Sequence, residues 1–385
     1  MSQIRELLDC FKKVATCPGK IVREYREKTG KGAVGCFPVY TPEEIPHAAG
    51  MLPVGMWGGE TTLRLAPSAL PSFACSIMQS ITELQLQGVY DSLVAVIVSS
   101  PCDTLKAMGQ KWRRQVPCIQ FAHSRNTKID AAADYTRREY QSIRARLEAA
   151  CATTISDEAI QTSVRIYNEH RQVMREFSGL AASHPDLVNP IDRHMVMKSA
   201  FFMRKENHTV LVKALNGLLA KAAKKPWEGV KIIVSGIMLE PVSVLEVFKQ
   251  NQIAVVGDDL AQESRQYRVD APEGADPLDS LARQWLSMYG CSLIPDPEKS
   301  RFSLLRSLVE QRGADGIVLC VMKFCEPEEF DYPPMKAYME KNGINLLQIE
   351  IDQQIQSVEQ IRTRIQSFAE ILRAQRARRA SIAQL

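Results

Sequence analysis

The chain reads as an α/β protein: two similar Rossmann-like, flavodoxin-like domains with four-stranded parallel sheets, plus a helical layer. Three observations predict this. Short apolar runs come in two sets of four, one near each end of the chain. Helical patterning fills the spaces within each set, as parallel strands joined by crossover helices require. The middle of the chain carries helical patterning and no strand-like run.

The opening stretch, Met1–Lys20, places apolar and charged residues at helical spacing and lacks the apolar core of a signal peptide. The first set of runs is Ala33–Phe37, Leu52–Met56, Leu93–Ser99 and Pro117–Phe121. Each is apolar or β-branched almost throughout, as a strand buried on both faces should be. Helices follow at Thr136–Ala150, Asp157–Gly179 and Met195–Leu219, with Pro185 and Pro190 as breaks. The second set is Lys231–Ser235, Gln252–Val256, Gly316–Val321 and Ile344–Ile349. In both sets the first strand leads to a turn, a proline (Pro42 or Pro241), a short helix and the second strand. The tail, Ser357–Ala380, is an amphipathic helix closing on Arg373, Arg376, Arg378 and Arg379, cations that suit a helix C-terminus. It reads as a solvated helix end, with contact to an anionic partner as the alternative. The expected division is an N-terminal α/β domain over 1–130, a helical segment over 131–228 and a C-terminal α/β domain over 229–385.

Composition narrows the function. At 385 residues the chain exceeds one compact core. A net charge of +4 with interspersed signs argues against a nucleic-acid partner. The longest apolar run, Leu93–Val98, is far too short to span a membrane. A cytoplasmic, reducing location is expected. The ten cysteines then read as thiols or metal ligands rather than disulfides.

No CxxC, ferredoxin run or HExxH is present, so metal ligands would come from distant loops. In open parallel sheets, ligands bind outside the carboxyl ends of the strands. Cys102 follows the third strand of the first set, and Cys325 follows the third strand of the second. Cys75 opens the helix before strand three, where a helix N-terminus favours a thiolate. Three thiolates from three loops would hold an iron–sulfur cluster with one iron left open. Taken singly, each cysteine reads equally as a buried core thiol. Cys320 and Cys151 read as core, Cys118 as the core start of strand four, and Cys10 and Cys17 as structural or exposed. Cys36 ends strand one, close to the expected cleft.

A set of ordered segments carries a resemblance. Ala33-Val34-Gly35-Cys36-Phe37-Pro38 leads into Thr41-Pro42-Glu43-Glu44 and Ala48-Ala49-Gly50-Met51-Leu52-Pro53-Val54. Phe73-Ala74-Cys75, Cys102-Asp103-Thr104-Leu105, Val234-Ser235-Gly236-Ile237, Asp258-Asp259 with Glu263-Ser264-Arg265, and Phe324-Cys325-Glu326-Pro327-Glu328-Glu329 follow. From about Ser2 to Leu372 the chain resembles the 2-hydroxyacyl-CoA dehydratase and benzoyl-CoA reductase family, on the side of the smaller, beta subunits of 2-hydroxyglutaryl-CoA dehydratases. The resemblance implies one [4Fe–4S] cluster on three cysteines, which carry over to Cys75, Cys102 and Cys325. It implies a homologous alpha subunit in a heterodimer and a separate ATP-hydrolysing iron–sulfur activator that injects one electron. Some members carry a flavin, so FMN is a further expectation. The alpha subunit generally binds substrate, so this chain would relay or store the electron.

The implied reaction removes water from a 2-hydroxyacyl-CoA. The proton to be lost sits beyond the carbon that the thioester acidifies, outside the reach of acid–base catalysis, worth roughly 10²–10⁴-fold. One added electron gives a ketyl radical anion that expels the hydroxyl, after which that proton becomes acidic and the electron is returned. Alternatives are a benzoyl-CoA reductase-like subunit, a non-catalytic electron-transfer subunit and a structural zinc protein, which would want a fourth ligand.

The remaining candidates have structural readings beside functional ones. Glu44 is a candidate general base, but Thr41, Pro42 and Glu44 also read as a capping box, with Gly50 at the helix end. Asp258, Asp259, Glu263, Ser264 and Arg265 read as a polar wall toward flavin, coenzyme A or a partner, while Asp259 with Gln262 reads as a second capping box. His123 reads as a loop histidine or a phosphate contact. Ser235-Gly236 makes a turn or admits a ligand. No Walker or GxGxxG loop is present, so this chain is not expected to hydrolyse nucleotide.

Overall fold

A computed structural model describes residues 2–112, 116–355 and 357–383. Two helices open the chain, α1 (Ser2–Thr16) and α2 (Pro18–Thr29). The first sheet holds β1 (Ala33–Cys36), β2 (Leu52–Gly55), β3 (Ala95–Val98) and β4 (Cys118–Gln120), all parallel, in the order β2-β1-β3-β4. Helices α3 (Glu44–Ala48), α4 (Ser76–Leu86) and α5 (Asp103–Lys111) connect these strands.

The middle of the chain is helical: α6 (Ala131–Cys151), α7 (Asp157–Ser183), α8 (Pro190–Ser199) and α9 (Lys205–Lys221). The second sheet repeats the first. Strands β5 (Val230–Gly236), β6 (Ile253–Leu260), β7 (Gly316–Met322) and β8 (Leu346–Ile351) run parallel in the order β6-β5-β7-β8. Around it lie α10 (Val242–Gln250), α11 (Ser264–Tyr267), α12 (Pro277–Leu286), α13 (Ser300–Arg312), α14 (Glu326–Lys341) and α15 (Glu359–Ala383).

All eight expected strands form, because each is buried along its length or packed on the core between helical layers. Helix starts follow capping chemistry. Ser156 accepts the Ala159 N–H at 3.2 Å to open α7, and Asn189 accepts from Ile191 and Asp192 to open α8. Pro190 and Pro277 occupy first-turn positions, where no backbone donor is lost. Pro190, expected as a break, therefore starts a helix.

The expected Met195–Leu219 helix is two helices. The chain leaves the helix after Ser199 so that the Phe201 carbonyl can accept the Gly55 N–H at 3.0 Å, at the end of β2. Phe201 and Phe202 are buried in the core that both sheets share. Thr41 does not cap α3 either: its hydroxyl donates to the Phe37 carbonyl at 2.7 Å. Nor does Asp259 cap a helix, since it lies within β6. Cys118 is half-buried rather than core. At the tail, Arg373 and Arg376 donate to carbonyls of Asn251, Gly229 and Glu228. They pin α15 beneath the second sheet, a structural use of two cations expected to be solvated. The Arg379 side chain lies outside the described residues.

Segments cross between the halves. Ile4, Leu8 and Phe11 of α1 pack with α7, α8 and α9. Leu278, Leu281 and Ala282 of α12 pack against β1, β3 and α6 of the first half. One hydrophobic cluster joins the inner faces of both sheets.

Candidate functional site: three cysteines at helix starts between the sheets

The carboxyl ends of the two sheets meet. The Ser76 hydroxyl, at the start of α4, lies 2.8 Å from the Met322 sulfur at the end of β7. Gln353, just past β8, donates to the Trp57 carbonyl at 2.9 Å and accepts from Ser80 at 2.8 Å. Cys75 directly precedes Ser76, and Cys325 lies three residues beyond Met322, so these contacts bring the two cysteine loops together.

Each of Cys75, Cys102 and Cys325 is the residue preceding a helix, at α4, α5 and α14. All three pack half-buried against the shared core. The N–H groups of Met78 and Ile77 favour a thiolate at Cys75, those of Leu105 and Thr104 at Cys102, and that of Glu328 at Cys325. The sulfurs also feel one another. Burial first, and the Cys102 sulfur among later causes, push the Cys75 thiol up to about 11. Burial, then Glu328 and Cys75, push Cys325 well above the usual thiol range, and burial raises Cys102. Such thiols ionise when a metal takes the place of the proton. Phe324, before Cys325, has φ +64° and is 41% exposed. This left-handed turn, uncommon for a bulky residue, is how the chain leaves β7 and presents Cys325 at the head of α14.

Among the described residues, no three His, Cys, Asp or Glu side chains close on a single-ion position. Three soft thiols spread over three helix N-termini suit a larger polynuclear cluster, and three ligands leave one of its metals open. The donor set fits a [4Fe–4S] group in this sense.

Behind Cys325 lies a buried ion-pair network. Asp259 accepts from Arg265 at 3.0 Å, Arg268 at 2.7 Å, Arg301 at 2.8 Å and the Ser235 hydroxyl at 3.0 Å. Burial alone raises the Asp259 carboxyl; the three guanidinia outweigh it and hold the group below the carboxylate range. Arg301 also donates to Glu328 at 2.8 Å, in the first turn of α14, and to Asp331 at 3.2 Å. Arg193 is clamped between Asp258 and Glu263, and His194 bonds Glu263 at 2.9 Å. Burial raises Glu263 too, and Arg193 and His194 bring it down. Half-buried Ser264 donates to the Asp258 carbonyl at 2.8 Å. Asp258, Asp259, Glu263, Ser264 and Arg265 all lie in this network, and their polar atoms turn mainly to protein partners.

Glu44 sits elsewhere, buried and bonded to Arg171 of α7. The pair borders two small adjoining cavities of about 60 Å³ each beyond β1. Tyr167, His170 and Lys205 line the first, and Tyr40, Arg265 and Trp285 the second. His123 is buried, stacked on Trp285 with ring centres 3.8 Å apart and bonded to Tyr140 at 2.9 Å. Gly236, φ +142°, admits no ligand. A Cβ there would stand 2.2 Å from the Cys320 carbonyl oxygen of the paired strand.

Several residues escaped the sequence. Cys291 is buried, with its sulfur 3.3 Å from the Tyr40 hydroxyl and 3.4 Å from Arg265 Nη1. Arg301 lies in no motif. Arg171 had a usable signal: it shares one helix face with Tyr167 and Met174, a cation on an apolar stripe.

The fold and its cysteines define a class: two parallel-sheet domains sharing a thiol-lined seam. The chain belongs to the 2-hydroxyglutaryl-CoA dehydratase, D-component family, whose model matches residues 38–372. It is 48% identical to the lactoyl-CoA dehydratase subunit beta of Anaerotignum propionicum, over 97% of this chain and 100% of that one. It is 41% identical to the (R)-phenyllactyl-CoA dehydratase beta subunit of Clostridium sporogenes, over 97% and 100%. It is 36% identical to the (R)-2-hydroxyglutaryl-CoA dehydratase subunit beta of Acidaminococcus fermentans, over 96% and 100%.

Proposed function

We propose that this chain is the beta-type subunit of a 2-hydroxyacyl-CoA dehydratase and carries a [4Fe–4S] cluster on Cys75, Cys102 and Cys325. The observation that carries the reading is the approach of three cysteines at helix N-cap positions, two from one sheet domain and one from the other. The three relatives differ in acyl chain and share dehydration of a 2-hydroxyacyl thioester, so the substrate proposed is that class. Their beta-subunit names support an alpha-type partner chain, the chemistry calls for an electron source, and the family resemblance implies that this is an ATP-hydrolysing activator. All ten cysteines are unpaired, which supports a reducing compartment such as the cytoplasm. Among the described residues no helix is long and apolar enough to cross a membrane.

When bound, such a cluster supplies a low-potential electron and an open coordination position. The protein's part is to hold and shield it. The three thiols provide the ligands, and helix N-terminal N–H groups turn toward the sulfurs and stabilise their charge. The Glu328–Arg301–Asp259 network fixes the start of α14 and so the position of Cys325. Apolar packing from both sheets excludes water on the inner side. Glu44, held by Arg171 at the wall of the inner cavities, is kept as the candidate acid–base group.

The test is iron and acid-labile sulfide on protein purified without oxygen, for the wild type and for Cys75→Ser, Cys102→Ser and Cys325→Ser. The expected result is about four of each per chain, as a [4Fe–4S] group requires, lost in every variant. Folded wild-type protein without iron, or variants that keep it, would overturn the reading.

A further inference from the structure

A separate cleft of about 340 Å³ opens on the outer side of the ion-pair network, between β6, α7, α11 and α13. That is within the range of about 300–1,000 Å³ usual for small-molecule sites. Three guanidinium groups border it from three elements: Arg175 on α7, Arg268 just after α11 and Arg312 in the last turn of α13. Arg175 pairs with Asp270, and Arg268 with Asp259. Arg312 is half-buried and has no carboxylate or carbonyl partner among the described residues. The one carboxylate in the lining, Asp258, is already neutralised by Arg193.

Other groups in the lining ask for a polar ligand. The Tyr267 hydroxyl is buried with the Ser178 side chain beside it. The Ser178, Ser264 and Ser307 side chains stand around it. At the mouth, Tyr289 is 44% exposed and lies against Arg268, 5.5 Å from ring centre to guanidinium carbon. Leu304 and Leu308 form an apolar wall. Guanidinium forks match phosphate oxygens, and an exposed tyrosine beside an apolar wall offers a surface for a planar base.

We infer that this cleft binds the adenosine-phosphate portion of a ligand, phosphates on Arg312, Arg268 and Tyr267, and the base against Tyr289. That chemistry has two sources, coenzyme A or its thioesters and a free adenine nucleotide. Binding here does not depend on a cluster at the three cysteines, so the inference and the cluster reading fail separately.

The experiment is calorimetric titration of the full chain with coenzyme A, ADP and inorganic pyrophosphate, beside Arg312→Glu and Tyr289→Ala. Arg312→Glu should weaken all three probes on the order of tenfold or more. Tyr289→Ala should weaken coenzyme A and ADP while leaving pyrophosphate unchanged. Because neither side chain is a core group, the thermal midpoint of each variant should match the wild type. Should Arg312→Glu unfold, Ser307→Asp places a like charge in the same lining and should give the same loss. Tighter binding of coenzyme A than of ADP assigns the cleft to the thioester; the reverse order assigns it to a free nucleotide. Absence of saturable binding of all three probes, or affinities unchanged in Arg312→Glu, would overturn the inference.

Discussion

Arg301 is the residue on which the second domain's polar core turns. Its guanidinium touches Asp259 in β6, Ser235 in β5, and Glu328 and Asp331 in α14. Removing one partner from a buried ionic group is far costlier than never having built it, because the remaining charges stay buried without compensation. Arg301→Leu should therefore cost about 3–5 kcal/mol, read from the denaturant midpoint. A loss under about 1 kcal/mol, the level of an exposed ion pair, would show that water reaches the network.

At the scale of elements, the break between α8 and α9 is the clearest case of packing overriding local preference. The sequence from Met195 to Leu219 has continuous helical periodicity, yet the chain leaves the helix to seat Phe201 against β2. Gly55 makes this possible: a Cβ there would lie 2.7 Å from the Phe201 ring. Gly55→Ala should destabilise by about 1–3 kcal/mol through overpacking. Pairing it with Phe201→Leu, which frees the ring's space, should recover part of the loss. A double variant whose cost equals the sum of its singles would separate the two sites energetically.

At the scale of the whole molecule, buried titratable groups set the pH range of stability. Burial holds His123 and His208 down to about 3, and lowers His170 well below its ordinary value. These rings take up a proton near pH 6.5 only after unfolding, so their contribution is full at neutral pH and lost as pH falls from about 6.5 toward 3. The depressed carboxylates of Asp259 and Glu263 act in the same sense at lower pH, contributing above about pH 4 and losing that contribution below it. His194 works oppositely: burial lowers it, but bonds to Glu240 and Glu263 outweigh this and raise it, so its contribution fades as pH rises. Going from pH 7 to pH 5 should cost about 2 kcal/mol for each depressed histidine. His123→Gln should lose correspondingly less over that interval in urea unfolding. An equal loss in both proteins would show that His123 is not the group responsible.

Much of this architecture was legible before any coordinates. Strands buried on both faces leave continuous apolar runs, and the spacing of those runs betrays crossover helices, so both sheets could be read as strings of letters. Cys102 and Cys325 could be placed because strand ends are where parallel sheets present their loops. What the sequence left open depends on contacts between residues far apart in the chain. Arg171 reaches Glu44, Arg301 reaches Asp259 and Glu328, and Cys291 reaches Tyr40, across separations that no local pattern encodes. The same holds for Thr41, which suits a helix cap but finds a better acceptor in the Phe37 carbonyl. Local periodicity and loop position were enough to determine the fold class and to put Cys102 and Cys325 in loops at strand ends. Which charges are buried together and where a helix must break were decided by tertiary structure, because desolvation and packing act on three-dimensional neighbours rather than on neighbours in sequence.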